Sequence, residues 1–349
     1  MVNGHLSFGH SSFHHFIISF CAIKERRKTS NIEIEKLKIE KHDSDGNLIW
    51  DISDSAGFSD IDPFEAVLED STIFVVGRAV SPGFKGFLGS YSLNGAINWS
   101  RTYLAPDSLF SFGRGLTYLD GFIYVATEYR DSLNDPHLAV DKFDDNGNHL
   151  WTQELNYGLS NQSYARVIEN DGQDVLVSGL SRAIDPILDL DEFLLVKIDT
   201  SGNEVWVHET SLTPSEEDAY QVFIDEQKSI YNLIMSDSVD LVKFRADGQI
   251  DWTYTCNVNT DNAQYLDAVY LNGYLHLCGY TVDTSFMNYR YLYTVIDTMG
   301  NLIAENDASE WGLGYENCLR GTEVVVNGIV DSVFKIVGYD LWGSEKWSI

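Results

Sequence analysis

The chain has 349 residues, 44% of them hydrophobic, and its 53 acidic against 23 basic residues give a formal net charge of −30. A surface this negative repels phosphate backbones and anionic lipids, so nucleic acid and membrane surfaces are poor candidate partners. Cations, basic proteins and neutral ligands such as glycans are compatible with it. The sequence contains no apolar run long enough to span a membrane.

The N-terminal residues 1–33 are irregular and rich in His and Arg compared with the rest of the chain. An apolar stretch at Phe16–Ile23 is followed by the charged run Lys24–Lys28. A secretory signal has its positive charge before the apolar core, so this segment does not match one. We expect a cytoplasmic protein, or a secreted or cell-surface one if a signal lies upstream of this start.

One turn motif recurs seven times after this segment, with Trp four residues beyond a Gly in every copy but one. The turn glycines are Gly46, Gly95, Gly147, Gly202, Gly248, Gly300 and Gly343, and Ala304 replaces the sixth Trp. Asp usually opens the turn by bonding its own backbone, and Gly supplies the positive φ, as in a β-hairpin. We predict that the Trp opens the return strand and packs between adjacent sheets.

Two further strands are predicted before each hairpin. The first begins near an aromatic residue, and the second is an apolar run that usually ends in a small residue, as in Phe74–Gly77 and His276–Gly279. Four short strands in about fifty residues correspond to one propeller blade. The sequence therefore predicts an all-β protein, a single β-propeller domain over residues 1–349 with seven blades of four antiparallel strands.

The first blade depends on the N-terminal segment. Ser7-Phe8-Gly9 repeats Ser111-Phe112-Gly113, and Phe16–Phe20 can serve as a second strand. On this interpretation residues 1–33 supply the inner strands of blade one. The alternative is six blades plus a partial one.

The segment Asp191–Trp206, with its Asp-x-x-Gly-x-x-x-Trp turn, resembles the β-propeller repeats called SBBP and is similar to the wider quinoprotein-like propeller group. The resemblance implies the architecture over about residues 34–349 and no defined activity. Quinoprotein enzymes bind pyrroloquinoline quinone beside a disulfide of adjacent cysteines, and no two of the four cysteines here are adjacent. Neither that cofactor nor dehydrogenase activity is expected.

Metal and disulfide sites have little support. Cys21, Cys256, Cys278 and Cys318 form no C-x-x-C pair, and buried thiols are favoured over a Cys278–Cys318 bridge. Acidic turns such as Asp144-Asp145 offer oxygen ligands for calcium but lack the remaining ligands of a calcium loop. We therefore predict no metal and no cofactor, with calcium as the alternative.

Candidate ligand contacts lie where the first strands would face the channel mouth. An aromatic recurs there and could contact a ligand or simply pack between blades. The candidate residues are Phe112, Arg114, Tyr164, Arg166, Tyr220, Tyr265, Asp267 and Tyr315. Arg114 and Arg166 belong to adjacent blades and could hold one carboxylate between them.

These features favour a monomeric, non-catalytic scaffold that binds a protein or glycan at the channel mouth. The alternative is a polysaccharide hydrolase or lyase with carboxylates in the central funnel. No Gly-x-Ser-x-Gly nucleophile motif and no Gly-rich phosphate loop occurs in the sequence. An enzyme would show clustered buried carboxylates with perturbed pKa values, whereas a binding module would not.

Overall fold

The structure is a computed structural model. It describes residues 5–7, 16–26, 33–43, 47–55, 57, 60–80, 83–158, 162–182, 191–210, 218–236, 239–256, 262–282, 289–306, 312–320, 322–330 and 333–348. All regular elements in these ranges are β-strands.

The strands follow one another in seven groups of four along the described chain. The first three groups are β1 (His5–Ser7), β2 (Phe16–Arg26), β3 (Glu33–Asp43), β4 (Leu48–Asp54); β5 (Asp60–Glu69), β6 (Thr72–Val80), β7 (Phe84–Ser92), β8 (Ile97–Tyr103); and β9 (Phe110–Leu119), β10 (Phe122–Arg130), β11 (Pro136–Asp144), β12 (His149–Glu154). The fourth and fifth are β13 (Ser163–Asn170), β14 (Val175–Arg182), β15 (Asp191–Ile198), β16 (Glu204–Thr210); and β17 (Asp218–Ile224), β18 (Ile230–Met235), β19 (Leu241–Phe244), β20 (Ile250–Tyr254). The last two are β21 (Asn262–Leu271), β22 (Tyr274–Val282), β23 (Tyr289–Asp297), β24 (Leu302–Glu305); and β25 (Gly312–Arg320), β26 (Glu323–Val330), β27 (Val333–Tyr339), β28 (Glu345–Ser348).

The predicted fold class, an all-β propeller of seven four-stranded blades, is confirmed. Groups two to seven each run through their four strands in chain order, and β2, β3 and β4 form the same meander in the first group. β2, which lies in the N-terminal segment, therefore belongs to the first group of strands.

The first strand departs from the expected pattern. β1 pairs in parallel with β5, from His5↔Glu65 to Ser7↔Val67, rather than with β2. The first strand of a blade has a free edge whose backbone donors and acceptors can take another strand, and β1 uses that edge of the second group. Phe8 and Gly9, which suggested the alignment, lie outside the described residues.

The strands form two compact units. The first contains residues 1–177 and 197–205, and its core includes Leu37, Val75 and Phe87. The second contains residues 178–196 and 206–349, and its core includes Leu277 and Leu292. The strands β6, β7, β22 and β23, which carry Val75, Phe87, Leu277 and Leu292, are buried in runs of five or six consecutive residues. Because successive side chains point to opposite faces, both faces of these strands are covered.

Five of the recurrent Trp rings lie against the glycine of the next turn along the chain, in line with the predicted packing between neighbouring sheets: Trp50, Trp99, Trp151, Trp206 and Trp252. In the first unit Trp99 lies against Gly147, and its Nε1–H donates to the Asp145 carbonyl at 3.0 Å. In the second unit the Trp252 ring lies against Gly300 in the same way. The turn glycine has a positive φ, 70° at Gly147, and a side chain there would enter the indole ring.

A lysine five residues before the turn glycine adds a second contact to the next turn. The repeat motif does not predict this contact. Lys142 Nζ donates to the Thr200 carbonyl at 2.8 Å, and Lys243 Nζ donates to the Thr298 carbonyl at 2.9 Å. The Lys243 ammonium also lies 6.0 Å from the ring centre of Trp252, whose Nε1–H donates to the same Thr298 carbonyl at 3.2 Å. One carbonyl of the next turn thus receives both donors.

We expect Trp252→Phe and Lys243→Met each to lower the free energy of unfolding by about 1 kcal/mol, because each leaves the Thr298 carbonyl one remaining donor. The double variant removes both donors and should cost more than the sum of the two single changes. Urea unfolding of the four proteins measures this coupling. Trp342→Phe, at a Trp that is 60% exposed, is the control and should be nearly neutral.

Candidate functional site

A β-bulge on the first strand of several blades sets which side chains point away from the sheet. The pairing shifts by one residue opposite the interior of the second strand, for example opposite Gly77 in β6, and this leaves one residue of the first strand unpaired. The unpaired residues are Phe64, Arg114, Tyr220, Leu266 and Tyr315. The aromatics that the sequence aligned are therefore not all equivalent, since Phe112 and Tyr265 lie before the bulge residue and Phe64, Tyr220 and Tyr315 occupy it.

The bulges lie in the first half of each bulged strand, toward the end of the sheet where that strand begins. We call this end of the sheet the loop edge. In the third blade it comprises the start of β9, the end of β10, the start of β11 and the end of β12. The Gly147 turn lies at the other edge. Side chains at the loop edge stand beside the longer connections of the blade, which is where a β-scaffold usually presents binding residues.

Three arginines surround one buried carboxylate at this edge in the first unit. Glu128, on β10, has a side chain only 3% exposed. The Nε and Nη2 atoms of Arg114 both donate to its Oε2, at 3.0 and 2.9 Å, and Arg130 Nη2 donates to Oε1 at 3.3 Å. Arg166 Nη1 lies 3.9 Å from Oε2. Arg114 and Arg166 do lie around one carboxylate, and that carboxylate belongs to the chain itself.

A fourth arginine extends the group on one side. Arg78, near the end of β6, donates from Nε to Asp62 Oδ2 at 2.7 Å. Its guanidinium carbon lies 5.2 Å from the ring centre of Phe84 and 5.9 Å from that of Phe112. These distances are within the range of cation–π contacts.

Aromatic rings separate and support the guanidinium groups. Phe64 has Arg78 at 5.8 Å and Arg114 at 5.2 Å from its ring centre. Tyr164 has Arg130 at 5.6 Å and Arg166 at 5.7 Å. Each of these rings therefore contacts two guanidinium groups, so Tyr164 serves to position arginines.

We call this set the arginine cluster: Arg78, Arg114, Arg130 and Arg166, with Asp62 and Glu128 and the rings of Phe64, Phe84, Phe112 and Tyr164. Arg114 and Arg130 both donate to the single Glu128 carboxylate, so these two arginines carry one positive charge more than that carboxylate neutralises. The arginine side chains are between 26% and 36% exposed, so they are open to solvent.

The remaining predicted residues belong to the second unit and differ in exposure. Tyr220 is 41% exposed at its bulge, which is compatible with ligand contact. Tyr265 is only 2% exposed, with its hydroxyl 2.7 Å from Thr294 Oγ1, and Asp267 is 1% exposed. These two side chains pack within the protein and do not face solvent as a channel-mouth position requires. The side chain of Tyr315 lies outside the described residues.

Two carboxyl groups with raised pKa values, those of Asp240 and Glu305, contact Cys256 in the second unit. Asp240 is 5% exposed and accepts the Cys256 backbone N–H at 2.6 Å, and burial raises the pKa of its carboxyl to about 7. The Cys256 Sγ–H donates to Glu305 Oε2 at 3.4 Å. Burial also raises the pKa of Glu305, against the opposing effect of the hydrogen bonds from Cys256 and Thr294. Perturbed carboxyls of this kind are typical of functional sites, although packing alone can also produce them.

Two other predicted features have an observed place. The Asp144 carboxylate accepts the backbone N–H groups of Asn146 and Asn148 and the Asn148 side-chain amide, as the turn interpretation requires. Cys256 and Cys278 are buried thiols. Across the described part of the chain, no group of three or more His, Cys, Asp or Glu side chains is placed to hold a metal ion.

Glu128 and Arg130 were not predicted, because the repeated aromatic marks only the first strands. A signal existed, since Glu128-Tyr-Arg130 places two opposite charges two residues apart, on one face at the end of β10. The described residues also include no helix that is long and apolar enough to cross a membrane.

No protein-family model matches the chain, and no curated protein sequence matches it. Solved structures do share its fold. The periplasmic gluconolactonase PpgL of Pseudomonas aeruginosa aligns over 96% of this chain and 94% of its own, with a TM-score of 0.57 and 12% identity. The Dos1 propeller aligns over 91% and 81%, with a TM-score of 0.57 and 10% identity. Both likenesses show the β-propeller fold alone, and the relationship to SBBP repeats or quinoproteins stays a prediction.

Proposed function

We propose that this propeller is a non-catalytic binding scaffold and that the arginine cluster is its ligand-binding site. The observation that carries the proposal is the convergence of Arg114, Arg130 and Arg166 on the buried carboxylate of Glu128. Glu128 fixes the guanidinium groups in place before any ligand arrives, and preorganisation of this kind lowers the entropic cost of binding. The partly exposed faces of the same arginines supply the contacts.

The cluster supports binding better than it supports chemistry. Both of its carboxylates, Asp62 and Glu128, are ion-paired to arginine. A general acid or base has to reach the substrate, whereas the Glu128 side chain is 3% exposed and its oxygens accept hydrogen bonds from Arg114 and Arg130. The arginines stabilise negative charge on a ligand without themselves exchanging protons.

The test is a binding screen on an array of neutral and acidic glycans, with the same compounds assayed for turnover. We expect the unmodified protein to bind at least one glycan without turning it over. Arg114→Gln should lower the affinity for that glycan about tenfold or more, because it removes a charge-assisted contact. Arg245→Gln is the matched control, because Arg245 lies in a turn of the second unit and is 53% exposed. Binding that Arg114→Gln leaves unchanged would contradict the assignment of the site.

A second candidate function is hydrolysis, favoured by the raised pKa values of the buried Asp240 carboxyl and the half-buried Glu305 carboxyl. The propeller of PpgL, named as a gluconolactonase, shows that the fold occurs in an enzyme of that name. The turnover assay, extended to glucono-δ-lactone, decides between the two functions. Asp251→Asn is the control, because that carboxylate is exposed. If Asp240→Asn abolishes turnover and Asp251→Asn retains it, the protein is a hydrolase and the scaffold function is wrong.

A further inference from the structure

We propose that the ligand of the arginine cluster is an oxyanion, a carboxylate, phosphate or sulfate group carried on a small molecule such as an acidic sugar, and that the cluster does not bind neutral sugars. This inference rests on the proposed binding function and specifies its ligand class. It follows from three features of the cluster: how the aromatic faces are used, how the charges balance, and which donors are directed outward.

The aromatic faces are already occupied by the chain's own cations. A neutral sugar binds a protein largely by stacking on an exposed aromatic ring. Here Phe64 and Tyr164 each have two guanidinium groups within 6 Å of the ring centre, and Phe112 has Arg78 and Arg114 at 5.9 and 5.4 Å. Rings used in this way hold arginines in place by cation–π contact and have little face left for a sugar.

The charge balance of the cluster favours an anion. Glu128 offers one negative charge to three arginines, and Asp62 offers one to Arg78. Arg114 and Arg130 both donate to Glu128 and together carry one positive charge more than this carboxylate neutralises, which favours an anionic ligand group. Arginine also recognises planar carboxylate and tetrahedral phosphate groups through its fixed array of donors.

Donors remain for such a group. Arg114 uses Nε and Nη2 on Glu128, and Arg78 uses Nε on Asp62. Arg114 Nη1 and both Nη atoms of Arg78 make no hydrogen bond to any other described residue. Both side chains are about one third exposed, at 32% and 36%. Phe64 and Phe112 lie between these two guanidinium groups, so their outward donors border one stretch of the loop edge.

Titration calorimetry with matched probes tests the inference. The probes are D-glucuronate, glucose 6-phosphate and inorganic sulfate as the three oxyanion sources, and D-glucose as the neutral match. We expect saturable binding of at least one oxyanion and at least tenfold weaker binding of glucose. The strongest oxyanion identifies which of the three groups the site prefers. The affinity should fall about 10- to 100-fold in Arg114→Gln and in Arg166→Gln, and should be unchanged in Arg245→Gln.

A second variant separates binding from a purely structural ion-pair network. Glu128→Gln keeps the size and the hydrogen-bond acceptor while removing the negative charge that competes with the ligand. We expect it to bind the oxyanion severalfold more tightly than the unmodified chain. A structural network would instead show a lowered melting temperature in Glu128→Gln and no oxyanion binding by the unmodified protein, and that result would overturn the inference.

The failure of this inference is distinguishable from the failure of the proposed function. If glucose or another neutral glycan binds in a manner that depends on Arg114, the binding site stands and the oxyanion class is wrong. If nothing on the glycan array and no oxyanion binds the unmodified protein, both are wrong. Arg166→Gln keeps the test informative if Arg114→Gln does not fold, because Arg166 approaches Glu128 at 3.9 Å whereas Arg114 makes two hydrogen bonds to it.

Discussion

Gly279→Ala should lower the free energy of unfolding by about 3 kcal/mol or more, the cost of forcing an atom into a space occupied by backbone. Gly279 lies on β22 opposite Tyr265, at the bulge of β21. A Cβ atom there would lie 2.0 Å from the Gln264 carbonyl oxygen and 2.7 Å from the Tyr265 Cα. Neither atom can rotate away, so the bulge itself has to open.

A matched control is available in the same sheet. Gly273 has a φ of 89°, and a Cβ there would meet no heavy atom within 4 Å. Gly273→Ala should therefore cost only the strain of the left-handed backbone, about 1–2 kcal/mol. Urea unfolding of both variants separates the cost of space from the cost of conformation. A Gly279→Ala variant no less stable than Gly273→Ala would show that the bulge is not tightly packed.

Stability should decrease as the pH rises from about 4 to about 7, in part because of Asp240. Burial raises the pKa of its carboxyl to about 7 in the folded state, above the ordinary value of 3.8 that applies to the unfolded chain. In this interval the folded state binds the proton more tightly, so raising the pH favours unfolding. The shift corresponds to a loss of up to about 4 kcal/mol in the free energy of unfolding. This loss is complete above pH 7, where Asp240 is ionised in both states.

Asp240→Asn removes this dependence while keeping an oxygen to accept the Cys256 N–H. We expect the variant to gain stability relative to the unmodified protein at pH 8 and to lose the advantage at pH 4, measured by urea unfolding at both values. The Asp144 turn gives the opposite sign, because its bonds from Asn148 lower the pKa of its carboxyl. Asp144→Asn should therefore change the pH dependence only on the acid side, where stability is lost as pH falls. An Asp240→Asn variant with an unchanged slope between pH 4 and 8 would contradict the assignment.

The sequence was sufficient for the blades because their signals are local. A turn glycine and a Trp four residues later depend on one hairpin, so the motif can be recognised without knowing its neighbours. The small residue in the second strand is also a local signal, and the structure explains why it is small. At Gly77, Gly279 and Gly328 an added Cβ would lie 2.0 to 2.2 Å from a carbonyl oxygen of the adjacent strand. Where Thr127 occupies this position, its partner on the first strand is Gly113.

The candidate site was predicted only in part because it depends on register between strands. A bulge moves one residue out of the pairing, and in two sheets that residue lies one or two positions after the aligned aromatic, at Leu266 after Tyr265 and at Arg114 after Phe112. Phe112 and Arg114 were chosen from the same strand, yet Arg114 is the bulge residue. Glu128, which organises the cluster, pairs with Phe112 across the sheet and carries no repeat signal of its own. Contacts between strands fourteen residues apart are invisible to a search for periodic motifs.

The joint between hairpin and turn has a consequence for how such a chain can lengthen. The Trp and the turn that receives it are one full repeat apart in sequence, so any duplicated repeat carries one half of the joint at each end. A copy inserted anywhere in the series meets a turn ahead of it and a Trp behind it. In the sixth sheet Ala304 stands in place of the Trp, and Tyr339 of the seventh sheet instead stacks on Tyr293 of the sixth. Their ring centres are 3.8 Å apart, and the Tyr339 hydroxyl lies 3.0 Å from that of Tyr291. A duplicated repeat can therefore replace the contact between Trp and turn with a different aromatic contact and still pack against the next sheet.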